Sequence, residues 1–454
     1  MRGDSIKKLD QELIDKIKEL IERRDKKALK EIIDCVRPAD LADLIEHLDS
    51  DERFFIFDLL EPKGAGKVLV EMESPIQEDI LNLLDIQYLS KLIEGLESDE
   101  AADIVGDLSP EKAKEVIDSV EEELSEDLRK LLPYPEDTAG GLMALEYVAV
   151  REDATVQDAI EKIREMHKEV KNVYYLFVVD SDDKLVGVVS LKDLVVEPPD
   201  KKIKEVMNPD VISVRVDTDQ EEIYHIVKKY NLVAIPVVDE KGRLVGRITH
   251  DDVIDVIERE TDEDINLMAG IINQEIAEDS PLKISKARLP WLMGALFGEI
   301  VAAFVISRFE SSLNRIIALS FFIPVIMAMG GATGNQAATI VVRGLATGDI
   351  TLLGIGKRVW LEIRASILNG IICGIILGFV VSIWLKDPKL GSIVAFILVV
   401  IIFNAGFIGT LLPLVLKRLN IDPALAVGPF IATSNDILGL FIYLGSITLF
   451  MSIS

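Results

Sequence analysis

Apolar and polar positions follow three different rhythms along this chain of 454 residues. Between residues 9 and 132 apolar residues recur at three- and four-residue steps in short bursts. In PADLADLIEHL (38–48), Leu41, Leu44, Ile45 and Leu48 share one helical face. A related burst, DEAADIVGDL (99–108), follows about 60 residues later, as expected of short helices stacked in a superhelix. From residue 290 the pattern becomes five long apolar runs, near 290–307, 316–342, 359–385, 392–416 and 423–451. A helix needs roughly 20 such residues to cross about 30 Å of hydrocarbon, so each run predicts a membrane span.

Between these regions the period shortens to alternating β-rich runs and helices, and it does so twice. LFVVDSDDKLVGVVSLKDLV (176–195) matches IPVVDEKGRLVGRITHDDVI (235–254), with Asp180, Gly187 and Asp193 recurring 59 positions on as Asp239, Gly246 and Asp252. Each copy reads strand, helix, strand, polar turn, strand, helix. The stretch YPEDTAGGLM (134–143), with its double glycine, separates the helical region from this duplication.

Charge separates the halves further. The chain carries 49 Lys and Arg against 77 Asp and Glu, a net −28, which excludes nucleic acid and other polyanions as partners. From Leu289 onward there are 10 basic and 7 acidic residues, so the first 288 hold 39 basic and 70 acidic, a net −31. Basic residues before the first run (Lys283, Lys286, Arg288), between the second and third (Arg343, Lys357, Arg358) and between the fourth and fifth (Lys417, Arg418) fall on one side if the spans alternate. That bias predicts a multi-pass protein with a cytosolic acidic body and an external C-terminus. The charged opening MRGDSIKKLDQELIDKIKEL predicts no cleavable leader. Two cysteines, Cys35 and Cys373, in unlike surroundings predict neither a disulfide nor a cysteine-built metal site.

The membrane half holds the polar atoms that need a reason. Asp436, in IATSNDILGLFIY, lies within the last run, where an ionised carboxylate costs at least about 2.5–3.5 kcal/mol unless hydrated or paired. No Lys, Arg or His is expected at its depth, which leaves a proton or a travelling cation as its counter-ion. The second run, FFIPVIMAMGGATGNQAATIVVRGLA, brings Pro324, Gly330, Gly331 and Gly334 together with the neutral oxygens of Thr333, Asn335 and Gln336. Gly428, Pro429, Thr433 and Asn435 accompany Asp436. Carboxylate, amide and carbonyl oxygens without thiolate or imidazole suit a hard cation, and Mg²⁺, which keeps several waters, fits best. One such Asp per chain predicts two facing each other across a dimer axis. Gly370, Gly374 and Gly378 are expected only to let helices pack closely. Glu299, near the middle of the first run, is expected to be protonated, to hydrogen-bond a neighbouring helix or to join conduction.

A charged helix is expected over 252–279, where Asp255, Glu258, Glu260, Asp262, Glu263 and Asp264 crowd with only Arg259 among them, a demand for a cation. The four histidines, His47, His167, His225 and His250, are dispersed and predict no metal site. An intramembrane aspartyl protease would need a second deep aspartate; Asp349 falls in a loop, so no enzyme is expected.

The duplicated segment, about 143–258, resembles a tandem pair of CBS domains, modules that sense small ligands. In their order, the acidic helical region, YPEDTAGGLM, the tandem repeats, the acidic helix, GGATGNQAAT and ATSNDILGL resemble the MgtE family of magnesium channels over nearly the whole chain. The resemblance implies a multidomain membrane protein: an acidic all-α superhelical domain (1–133), tandem α/β CBS domains (134–258), a plug-like connecting helix (259–285) and a five-helix transmembrane domain (286–454). It implies a homodimer in the lipid bilayer of a prokaryotic plasma membrane, with a pore between the second and fifth helices. Asp436 would be the pore carboxylate, with Ala432, Gly428, Ala328 and Asn335 beside it. Cytosolic Mg²⁺ would close the channel by binding Asp99, Asp103, Gly140, Asp219, Glu221, Asp252, Asp255, Glu260, Glu263 and Asp264. Asn231 stands where an acid could have served this sensor. CBS pairs also suggest ATP, with Thr249 and Asp252 as candidate contacts. Mg²⁺ would thus be both cargo and regulator. A carrier exchanging a divalent cation (Mg²⁺, Mn²⁺ or Co²⁺) against Na⁺ or H⁺ is the alternative, although no inverted repeat is evident among the five runs.

Overall fold

The computed structural model describes residues 11–167, 170, 172–271, 281–347, 350, 355–419 and 421–453. Two compact units emerge, residues 1–257 and 258–454.

In the first unit, among the described residues, ten helices (α1–α10) run from Gln11–Glu22 to Glu122–Leu131. Most open on turn chemistry that satisfies their free amides: Asp85 accepts from the Tyr88 amide at 2.8 Å, and Pro38, Pro62 and Pro110 begin α3 (Pro38–Glu46), α5 (Pro62–Val70) and α9 (Pro110–Ile117). Each helix has at most three turns and cannot bury its apolar face alone. Stacking of alternate helices, α3 on α5, α5 on α7 (Ile86–Ile93) and α7 on α9, supplies the core, in which Leu41, Leu44, Ile45 and Leu48 are all buried as their spacing predicts.

The duplication folds as two copies of one motif. Each has a three-stranded mixed sheet: β1 (Ala149–Arg151), β2 (Tyr175–Val179) and β3 (Leu185–Ser190), then β4 (Val214–Arg215), β5 (Ala234–Val238) and β6 (Leu244–Thr249). The first pairing is parallel and the second antiparallel in both. Register repeats to the residue: Val178 pairs with Gly187 as Val237 pairs with Gly246, and the bulge follows Val178 and Val237 alike. Asp180 accepts from the amides of Asp182 and Lys184, and Asp239 from those of Lys241 and Arg243, so one Asx turn closes both hairpins. The hairpins exchange hydrogen bonds, Leu185 N to Gly242 O at 3.0 Å and Leu244 N to Asp183 O at 3.2 Å, across a local pseudo-two-fold axis. The second copy shares one core with the helical stack, Val214, Ile223, Ile235, Val237, Ile248, Val253 and Val256 joining Leu128, Leu131 and Met143. The helical region and the second repeat therefore pack against one another through a common core.

Asn231 caps α15 (Gln220–Tyr230) in the left-handed region at φ 50°, a conformation asparagine tolerates better than most residues. Gly140 and Gly141 have no room for a side chain: a Cβ on Gly140 would lie 2.5 Å from the Tyr134 ring, and one on Gly141 would overlap the Pro135 carbonyl.

The helix α16 runs from His250 to Ala269 and ends at Gly270 in the left-handed region. It is shorter than the 252–279 expected; residues 272–280 lie outside the described residues, as do Gly348 and Asp349. The second unit contains α17 (Pro281–Arg308), α18 (Glu310–Arg315), a 3₁₀ turn (Ile317–Phe322), α19 (Ile323–Ala346), α20 (Ile355–Trp384), α21 (Pro388–Arg418), a second 3₁₀ turn (Pro423–Ala426) and α22 (Pro429–Ile453). Five helical segments, Ile284–Arg308, Ile317–Ala346, Ile355–Trp384, Pro388–Arg418 and Phe430–Phe450, are long and apolar enough to cross a membrane, close to the five runs expected. On α20, Gly374 and Gly378 would set a Cβ within 2.7 and 2.8 Å of the Ala395 and Gly391 carbonyls of α21, so these glycines serve close packing. Tyr443, fully buried, donates to the Leu319 carbonyl at 3.0 Å and ties α22 to the first 3₁₀ turn.

Candidate functional site

In the membrane unit the candidate residues gather on α19 and α22. Gly330 and Gly334 form the close seam: a Cβ on Gly334 would overlap the Asn435 amide, and Asn435 donates from Nδ2 to the Gly330 carbonyl at 3.4 Å. Asn435 is only 2% exposed, yet its Oδ1 has no hydrogen-bond partner, and neither has the Oδ1 of Asn335. Buried acceptors left unpaired cost about 1–3 kcal/mol each, so two of them beside one seam mark a place that lacks a donor or a cation.

The remaining candidates lie on faces left open within the single chain. On α22, Gly428, Ala432 and Asp436 recur at four-residue steps, and all three are partly exposed. On α19, Ala328 is exposed and Gly331 has open space where a side chain would stand, with Asn335 one turn further on. Asp436 is within hydrogen-bonding reach of Glu299 on α17, a residue whose partner the sequence left open. Close approach of α17 to α22 sets this contact: a Cβ on Gly298 would overlap the Thr433 methyl.

Where α22 begins, Gly428 has φ +72°, and a Cβ there would sit 2.5 Å from the Met268 carbonyl. The end of α16 therefore packs tightly onto the membrane unit, Leu267 and Met268 lying against Ala338, Val342, Ala424, Val427 and Ile431. Glu260, Glu263 and Asp264 stand one to two turns earlier on the same helix. The sequence pointed to an acidic connector; which end of it packs against α19 and α22 was not readable from charge.

The first unit brings together some of the predicted cytosolic acids. Asp99, on α8 (Ser98–Gly106), is buried, and its Oδ1 accepts from the Glu100 amide at 2.9 Å. Burial and then the Asp252 carboxylate hold Asp99 well above the usual carboxylate range. Burial pushes Asp252 up to about 6, against hydrogen bonds from the Thr249 amide (2.7 Å) and Oγ1 (2.9 Å). Asp255 repels Glu71, an acid that sequence reasoning did not single out, and burial together with that repulsion raises Glu71. Glu71 lies at the end of α5 with no sequence repeat to flag it.

Other candidates are more dispersed. Asp103 is exposed on α8; Asp219 caps α15 by accepting from the Glu221 amide at 2.8 Å; Gly140 donates to the Val216 carbonyl at 2.9 Å. Among the described residues no three His, Cys, Asp or Glu side chains converge as a metal-binding group. Two pairs of carboxylates, Asp99 with Asp252 and Glu71 with Asp255, repel each other instead.

Thr249 and Asp252 bond to each other and not to the cleft between the repeats. That cleft is lined by Val148, Val170, Tyr174, Tyr175, Phe177, Ala234 and Arg247. Arg247 is 3% exposed; it donates to the Asn172 carbonyl, but Nε and Nη2 have no hydrogen-bond partner, and Glu97 is 3.7 Å from Nη2.

Five helices long and apolar enough to cross a membrane, joined to an acidic helical stack and tandem repeats, define a polytopic membrane protein with a large N-terminal body outside the spans. Residues 36–137 match the MgtE intracellular N domain, 139–199 and 203–259 the CBS domain, and 323–446 the MgtE domain described as a divalent cation transporter. The chain is 36% identical over 444 residues to the magnesium transporter MgtE of Thermus thermophilus, covering 96% of this chain and 98% of that one. It is 38% identical over 322 residues to the magnesium transporter MgtE of Bacillus subtilis, 71% of each chain. A crystal structure of the cytosolic domain of the Mg²⁺ channel MgtE in complex with ATP aligns at 36% identity and TM-score 0.51, covering 54% of this chain and 99% of that one. The chain belongs to the MgtE family of magnesium transporters.

The repelling pair gives a measurable pH dependence. Asp99 and Asp252 titrate above the value near 3.9 they have in an unfolded chain, so ionising them destabilises the fold. That cost is present at pH 7.5 and is relieved as pH falls through about 6. In divalent-free buffer the cytosolic unit should therefore melt higher at pH 5.5 than at pH 7.5, by about 2–4 °C for each kcal/mol relieved. Mg²⁺ at pH 7.5 should reproduce the gain, and Asp99→Asn should remove most of both in calorimetry. An unchanged pH response in Asp99→Asn would show that other groups carry it.

Proposed function

We propose that this protein is a Mg²⁺-selective channel for magnesium uptake, a homodimer with an external C-terminus, closed when cytosolic Mg²⁺ binds its acidic carboxylates. The observation that carries the reading is Asp436 on an open helix face within a membrane span, beside amide oxygens without partners. A hydrated Mg²⁺ needs oxygen acceptors for its waters more than direct ligands, and Asp436, Asn335 and the backbone near Gly428, Ala432 and Ala328 supply them. A second chain facing the same surface would double the carboxylates.

Closure follows from repulsion. Without cation, Asp99 and Asp252, and Glu71 and Asp255, push apart; divalent ions bridging such acids, with Asp103, Asp219, Glu221, Glu260, Glu263, Asp264 and the Gly140 backbone contributing, would draw the cytosolic parts together. The end of α16 would then be held at the α19–α22 mouth. ATP at the CBS pair would act on the same equilibrium; the relative's ATP complex and Arg247 Nε, which has no hydrogen-bond partner beside Tyr174 and Tyr175, support that site. These roles are those of a transporter and ask for no catalytic group.

Exchange of a divalent cation against Na⁺ or H⁺ is the second reading, favoured by the Glu299–Asp436 contact, since paired acids suit coupled exchange. Recording from the reconstituted protein decides: unitary Mg²⁺ currents establish a channel, whereas flux without resolvable currents that requires a Na⁺ or H⁺ gradient establishes the carrier.

A further inference from the structure

We infer that Glu299 is a second carboxylate of the transmembrane cation path and sets its preference for divalent over monovalent ions. The inference rests on the pore reading of Asp436. Glu299 lies in the Ile284–Arg308 span and is exposed on the single chain. A carboxyl turned to lipid at that depth costs at least about 2.5–3.5 kcal/mol, so its exposed surface belongs to water or to a facing chain. Its position is imposed and not incidental. The preceding Gly298 lets α17 press onto Thr433, which leaves Glu299 within hydrogen-bonding reach of Asp436 one turn along α22. No Lys, Arg or His pairs with either acid among the described residues. Asn435, adjacent to Asp436 and almost wholly buried, adds an amide oxygen without a partner.

Electrostatics gives this pair a function. A second fixed negative charge strengthens the attraction of a divalent ion twice as much as that of a monovalent one at equal distance. It also gives the water shell of a small divalent cation two carboxylates to bond, which a weakly hydrated monovalent ion does not exploit. A path with Asp436 alone would bind divalent cations but discriminate less.

The test uses the full chain in liposomes, with Mg²⁺ and Na⁺ fluxes measured for the wild type, Glu299→Gln, Glu299→Asp and Asp436→Asn. Glu299→Gln should lower the Mg²⁺/Na⁺ flux ratio at least about tenfold while Glu299→Asp keeps it within about twofold. Asp436→Asn separates the two readings: Mg²⁺ flux lost there but an unaltered ratio in Glu299→Gln overturns this inference alone, whereas full flux in Asp436→Asn overturns the pore site beneath it. Glu299→Cys, with Cys35 and Cys373 replaced by Ser, provides a readout independent of flux. A water-borne cationic thiol reagent should modify it and Mg²⁺ should slow the reaction; a thiol inert to the reagent in the folded protein places the position in lipid or packing and overturns the inference.

Discussion

Replacing Asp436 by Ala should abolish Mg²⁺ flux while making the protein more stable. Asp436 is an acid within a candidate membrane span, and in the proposed pore its counter-ion would be the passing metal. Removing it forfeits an interaction that must offset roughly 2.5–3.5 kcal/mol, equivalent to about a hundredfold in ion occupancy. The same deletion relieves the uncompensated charge, so thermal stability in Mg²⁺-free detergent should rise. Loss of flux together with loss of stability would instead point to a packing role. Asp436→Glu, which keeps the charge but displaces it, should retain part of the flux. Full Mg²⁺ conduction in Asp436→Ala would refute the pore site.

The second large effect concerns closure. A chain lacking residues 1–260 should still conduct but should no longer be inhibited by Mg²⁺ on the cytosolic side. One site at about ten times its dissociation constant contributes roughly 1.4 kcal/mol, whereas swinging a gate from about 1:99 to 99:1 takes roughly 5.5 kcal/mol. On the order of four sites must act together, and the truncation removes all but the acids at the end of α16. Gly428→Ala tests the same step locally. A non-glycine residue at φ +72° is strained, and its methyl would press on the Met268 carbonyl. Loosening that contact by about 1–2 kcal/mol, shared over about four sites, should raise the Mg²⁺ concentration needed for closure about twofold, with conduction intact. Flux measured against internal Mg²⁺ checks both; inhibition unchanged in the truncated chain would exclude the cytosolic half as the sensor.

Much of the architecture was legible because its signals are local. The 59-residue displacement of Asp180, Gly187 and Asp193 predicted two equal folds, and strand register repeats by that displacement. Apolar runs gave five spans, since a helix in hydrocarbon must satisfy its own backbone and be long enough to cross. Helix ends were less readable: the acidic run suggested a helix to 279, but Gly270 adopts a left-handed conformation and ends α16 at Ala269.

By itself the sequence determined the order of domains, the number of spans, the sign of the cytosolic charge and the presence of an acid deep in the last helix, all properties of composition and periodicity within one segment. Only the tertiary structure decided that Asp99 opposes Asp252, that Glu71 meets Asp255, that Met268 rests on Gly428 and that Glu299 reaches Asp436. Each of these joins residues many positions apart. Their proximity depends on which helix faces press together, a matter of shape and of missing side chains such as those of Gly298 and Gly428, which hydrophobic pattern does not encode.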